Sequence, residues 1–180
     1  MSSTPIVYTS FASVWRRIAA YVIDYAILFA VLIPMQGLIW IAGNGFPYTL
    51  FKIGLQVELW VLLSISLPAW MYFSISEQSI RKATLGKRIF RLEVTRIDGS
   101  KIGFGRAIMR TAIKLLPWEL THITLLLPVP IWWAAPSQFP FGLIIVYTLV
   151  GIYIITMFLN QRMQSVDDIF AQTVVKYIKN

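Results

Sequence analysis

Four titratable side chains sit where an apolar chain should have none. Asp24 interrupts the run "RRIAAYVIDYAIL" (16–28), Glu58 lies in the apolar stretch 51–75, and Glu119 and His122 stand one helical turn apart in "PWELTHITLLL". A carboxylate at the centre of a membrane helix costs roughly 2.5 to 3.5 kcal/mol on insertion scales, so each needs a partner or a task. Carboxylates and an imidazole, whose ordinary titration falls near neutrality, are the groups that bind cations and pass protons inside a membrane. Asp24, Glu58, Glu119 and His122 are therefore the candidate ion- or proton-binding residues. Glu-x-x-His is also a ligand spacing in di-iron bundles, but such a site takes two of these pairs and two further glutamates. The chain has one histidine and no cysteine, so neither a metal nor another cofactor is expected.

The elements that must position these groups are membrane spans. Of 180 residues, 57% are hydrophobic and 13% charged, against about 25% charged in an ordinary globular domain. Four segments approach the roughly 20 apolar residues that cross a bilayer, at 14–40, 51–75, 117–135 and 139–160. The first is too long for the core of a signal peptide and stays as a span. Fifteen of the sixteen Lys and Arg residues fall on one side of this arrangement: two at the head of the first span, ten from Arg81 to Lys114, and three after the last. The positive-inside rule makes that side cytoplasmic, with both termini there. The net charge of +8 then reports topology and contact with anionic lipid headgroups, and nucleic acid is not expected as a partner.

Between the second and third spans the chain changes character. "FRLEVTRIDGSKI" (90–102) is β-branched and contains Asp98-Gly99, a dipeptide suited to a type I′ turn, which predicts a small cytoplasmic β-hairpin. "TVVKYI" (173–178), within the cytoplasmic segment 161–180, alternates well enough to add a strand to it. Over 104–116, Phe104, Ala107, Ile108, Thr111 and Leu115 share one helical face while Arg106, Arg110 and Lys114 form a stripe on another. This pattern predicts a helix lying in the headgroup plane with its basic stripe toward water. The expected fold is thus one all-α membrane domain over 1–180, with four spans, an interfacial helix and a small cytoplasmic hairpin or sheet.

Three blocks, "WRRIAAYVID" (15–24), "ATLGKRIFRLEVTRIDGSKIGFGRAIMR" (83–110) and "SVDDIFAQTVV" (165–175), resemble the RDD family of small bacterial membrane proteins, named for one arginine and two aspartates. The resemblance makes the arginine Arg17, with Arg16 the neighbouring candidate, and the aspartates Asp24 and Asp168. It implies the bacterial cytoplasmic (inner) membrane. Some members have been linked to cation/proton exchange. This chain departs from the family pattern at Asp167, where relatives often carry histidine, and at Gln172, where they often carry glycine.

Arg17 and Asp24 are seven residues apart, on one helical face and about 10 Å apart along the axis, too far for a direct ion pair. Asp168 follows the fourth span after eight residues and can approach Arg17 from the same side. The Ser165-x-x-Asp168 spacing also suits a capping box. The chain lacks a Gly-x-Ser-x-Gly elbow, a cysteine nucleophile and His-Glu-x-x-His, so no enzyme is expected. Two functions remain. One is a small ion transporter or cation/proton exchanger, suited to a homo-oligomer, that binds its ion at Asp24 with Arg17 and Asp168 as gate. The other is a non-transporting scaffold or accessory subunit whose polar residues are structural and whose cytoplasmic cap docks a protein partner.

Overall fold

The computed structural model describes residues 7–134 and 140–179, leaving positions 135, 139 and 180 at the edges of the expected spans and tail outside the described residues. Strand β1 (Val7–Phe11) leads into α1 (Val14–Ala42), which runs 29 residues through Pro34. At 1.5 Å per residue α1 is about 43 Å long, more than the roughly 30 Å hydrocarbon core. Its buried positions, Val14, Arg17, Ala20, Asp24, Leu28 and Leu32, recur every three or four residues and so form one stripe. The opposite side, including Val22, Val31, Ile33 and Leu38, is exposed and apolar, as a lipid-facing surface must be.

The second span is one helical rod from Gly54 to Gln78 in three parts: α2 (Gly54–Val61), a π-helical turn (Leu62–Ser66) and α3 (Leu67–Gln78). After it come the single turn α4 (Leu85–Ile89), strand β2 (Leu92–Arg96), α5 (Phe104–Leu126), α6 (Gly142–Leu159), the short α7 (Val166–Phe170) and β3 (Thr173–Lys179). Among the described residues, three helical segments, 14–42, 54–78 and 142–159, are long and apolar enough to cross a membrane.

Two expectations about α5 need correction. The interfacial helix 104–116 and the third span are one continuous helix, which ends at Leu126; residues 127–134 are not helical, although the expected span ran on to 135. The buried side of the helix also differs from the expected one: Ala107, Thr111 and Leu115 are buried as expected, but two members of the basic stripe are buried with them. Arg110 is fully buried and Lys114 nearly so, while Phe104 and Ile108 on the expected apolar face are exposed. The basic stripe faces inward because carboxylates from α3 and α7 meet it there, as described below.

The expected hairpin also changes form. Asp98-Gly99 does make a tight turn, with Gly99 at φ +87° and its N–H donating to the Arg96 carbonyl at 2.9 Å. No return strand follows it, because β3 is the antiparallel partner of β2, with Val94 opposite Val175. Residues 173–178 thus pair with the strand near 92–97 as expected. β1, which the sequence reading did not foresee, pairs with the other edge of β3 and completes a three-stranded sheet in the order β1-β3-β2. Ala12, Ala20, Leu92, Val94, Ile102, Ala107 and Val175 form a core that fixes this sheet to the starts of α1 and α5. A second core of Leu28, Leu32, Ala69, Phe73 and Leu115 joins α1, α3 and α5 within the bundle.

Candidate functional site

Asp24 is fully buried on α1, in a place made for it by α3 and α4. Its Oδ1 accepts from the Tyr72 hydroxyl at 2.6 Å and from the Gly86 backbone N–H at 2.8 Å, and its Oδ2 accepts from the Thr84 hydroxyl at 2.6 Å. Thr84 is also the N-cap of α4, accepting from Lys87 N. A side chain at position 86 would place its Cβ 2.2 Å from the Ala20 carbonyl oxygen and 2.9 Å from the Asp24 carboxyl carbon. Glycine is therefore required for the close approach of α4 to α1 that delivers the N–H. Three donors on one carboxylate describe a lock between helices.

Arg17, the first member of the proposed signature, is also buried, but its partner is Asp168. Its guanidinium donates to Asp168 Oδ2 and to the Met163 carbonyl. No ion pair joins Arg17 to Asp24 among the described residues, so the two signature residues of α1 belong to separate polar groups. Asp168 also accepts from Ser165 N at 3.2 Å, making the acidic half of the capping box, and from the Thr173 hydroxyl at 3.1 Å. Helix capping and pairing with Arg17 therefore coexist. Burial works to raise the Asp168 carboxyl, but Arg110 and Arg17 outweigh it and hold the group down to about 2.

Arg110 is the residue that sequence reasoning misplaced. It reaches Asp168 Oδ1 through Nη2 at 2.6 Å and Nε at 3.0 Å, Glu77 Oε2 through Nη1 at 2.5 Å, and Asp167 Oδ2 at 3.1 Å. Glu77 also takes Lys87 Nζ at 2.6 Å and Lys114 Nζ at 2.5 Å. One network thus joins Arg17, Lys87, Arg110 and Lys114 to Glu77, Asp167 and Asp168, drawing on α1, α3, α4, α5 and α7. Glu77 was not singled out from the sequence; its signal was an acid at the end of a span, facing a segment with ten basic residues. The i, i+4 spacing of Arg106, Arg110 and Lys114 was visible, but the carboxylates that turn the last two inward come from distant parts of the chain.

The other candidates lie deeper. Glu119 was expected to bond with His122 near the cytoplasmic mouth of the third span. It lies nine residues beyond Arg110 on α5, about 13 Å along the helix, and accepts from Ser66 Oγ at 3.0 Å and Trp70 Nε1 at 2.9 Å. His122 instead stands edge to face with the Trp118 ring, 4.7 Å between centroids, and its Nδ1 has no hydrogen-bond partner among the described residues. Glu58 lies in the second turn of α2, at the end of the rod remote from the sheet. It is buried, and its Oε2 accepts no hydrogen bond among the described residues.

Apolar helices that cross a bilayer several times, tied by buried charge to a small sheet at one end, define a multi-pass membrane protein. The model of the RDD family matches residues 11–172, and the chain belongs to that family. The curated proteins and the solved structures compared with it gave no match.

Proposed function

We propose that this protein is a small ion transporter of the bacterial cytoplasmic membrane that exchanges a monovalent cation for protons, with both termini cytoplasmic, and that Glu58 is its ion- or proton-carrying carboxylate. The observation that carries this reading is the buried Glu58 Oε2, which has no donor among the described residues. A membrane-embedded carboxylate of this kind is open to a proton or a cation, whereas Asp24 already holds three donors. The π-helical turn between Glu58 and α3 adds support, because such turns are frequent at functional sites and this one presents Ser66 to Glu119. Glu119 and His122 complete the titrating set. Arg17 and Asp168 serve as the frame that anchors α1, in place of the gating role beside Asp24 that the sequence suggested. Four short helical segments in one copy hardly enclose a path, so the working form is a homo-oligomer.

The buried charge network, in which every carboxylate faces a Lys or Arg, favours the second reading, a non-transporting scaffold whose polar residues are structural. Purified protein in liposomes separates the two. Transport predicts proton movement driven by a sodium or potassium gradient, above the empty-liposome background, between pH 6 and 9. If neither protons nor either cation moves across that range, the transporter reading falls and the scaffold reading stands.

A further inference from the structure

A groove of about 550 Å³ runs between α1 and α6 over α5. Val22 and Tyr25 form one wall, Val146, Val150 and Ile154 the other, and Trp118 the floor. At the sheet end, α1 and α6 meet through Trp15 and Phe158, edge to face at 6.3 Å. From Leu143 to Met157 the groove follows α6 for fourteen residue steps, about 21 Å at 1.5 Å per residue, longer than the roughly 15 Å half-thickness of a hydrocarbon core. An apolar channel of that length fits a complete acyl chain.

The sheet end of the groove is polar, lined by Lys114, Ser165 and Asp167. Asp167 is 1% exposed. Its Oδ2 lies 3.1 Å from Arg110 Nη2, which offsets its charge, yet this oxygen accepts no hydrogen bond among the described residues. An acceptor whose charge is already balanced calls for a neutral O–H donor more than for a second cation. The network behind it sets four cations, Arg17, Lys87, Arg110 and Lys114, against three carboxylates, Glu77, Asp167 and Asp168. The excess positive charge favours an anion at the same end.

We infer that this groove is a binding site for an anionic phospholipid with a hydroxyl-bearing head, of the phosphatidylglycerol class, with one acyl chain between α1 and α6 and a head hydroxyl donating to Asp167. The acyl chain gives affinity common to all lipids. The phosphate complements the basic excess, and the hydroxyl meets the vacant acceptor.

Native mass spectrometry of the full chain, released from micelles containing equal amounts of dioleoyl phosphatidylglycerol, phosphatidylmethanol and phosphatidylethanolamine, tests the inference. Phosphatidylmethanol keeps the charge and lacks the hydroxyl. The expected order of retention is phosphatidylglycerol, then phosphatidylmethanol, then phosphatidylethanolamine, with about five- to tenfold between the first two, as one hydrogen bond would give. Asp167→Ala should bring the first two level. Val150→Trp, at a partly exposed wall position, should reduce retention of all three. Equal retention of the three lipids by the wild-type protein overturns the inference. So does phosphatidylglycerol retention undiminished by Val150→Trp, which decides the matter even if Asp167→Ala does not fold.

Discussion

At the sheet end of the bundle seven charged side chains share one buried network, whereas in the apolar body Asp24, Glu58 and Glu119 form no ion pair among the described residues. The first region draws on five helices, and every carboxylate in it faces at least one Lys or Arg. Such a network holds its elements in one arrangement, because removing any charge leaves another buried without compensation. The second region rests on hydroxyls, an indole and a backbone N–H, which are neutral donors. A carboxylate held that way can change its charge without exposing a stranded cation. That contrast assigns anchoring to the sheet end and ion handling to Glu58 and Glu119 in the body, where Asp24 serves as a lock between helices.

The largest effect should come from breaking the network at its centre. Arg110→Gln strips Glu77 and Asp168 of a shared cation and should cost about 3 to 5 kcal/mol, the usual cost of orphaning a buried charge. It would be read as loss of the monodisperse folded protein or a large fall in thermal midpoint in detergent. An Arg110→Gln protein as stable as wild type would remove the network from the account.

Asp24→Asn should be milder, costing about 2 kcal/mol because three hydrogen bonds to a charged acceptor are weakened while the volume is kept. Arg17→Gln added to it should not restore stability, since Arg17 pairs with Asp168 and sits in the other region. The two costs should add to within about 0.5 kcal/mol. Partial rescue in that double variant would join the two regions into one and contradict the comparison.

These two regions were unequally legible in the sequence. Asp24 stood out because a carboxylate in an apolar run is anomalous wherever it lies, and Asp168 because its block resembled a family. The pairing of residues 173–178 with β2 followed from β-branched alternation in both. Arg110 and Lys114 were read as facing headgroups because a basic stripe normally seeks water. Their inward turn depends on Glu77, 33 residues before Arg110, and on Asp167 and Asp168, 57 and 58 residues after it, and periodicity within one helix cannot reveal such partners. β1 was missed because five residues at the edge of a polar tail carry too short a pattern to register without β3 beside them.

Strong acid should loosen the anchoring region. Asp168 titrates near 2, below the ordinary carboxylate value of 3.8, so its stabilising contribution is complete above about pH 4 and is lost as pH falls through about 2. Thermal midpoints measured between pH 5 and 2 should decline more steeply for wild type than for Asp168→Asn, which lacks the titrating group. Parallel curves would show that Asp168 is not held down by Arg110 and Arg17.

A smaller gain is expected at Gln172, which closes the turn between α7 and β3 at φ +51°. That left-handed conformation costs a non-glycine residue roughly 1 kcal/mol. Gln172→Gly should recover part of this, about 0.5 kcal/mol after its greater freedom in the unfolded chain is counted. A lower thermal midpoint would mean that the Arg106 contact with the Gln172 side chain, at 3.5 Å, outweighs the backbone strain.

The most direct test of the division between anchoring and ion handling is cation-driven proton flux in liposomes, expressed per folded protein, for wild type, Glu58→Gln and Asp24→Asn. Loss of flux in Glu58→Gln with its thermal midpoint kept, beside measurable flux from the folded fraction of Asp24→Asn, is the predicted result. Undiminished flux in Glu58→Gln together with none in a folded Asp24→Asn would contradict it and return the ion to Asp24.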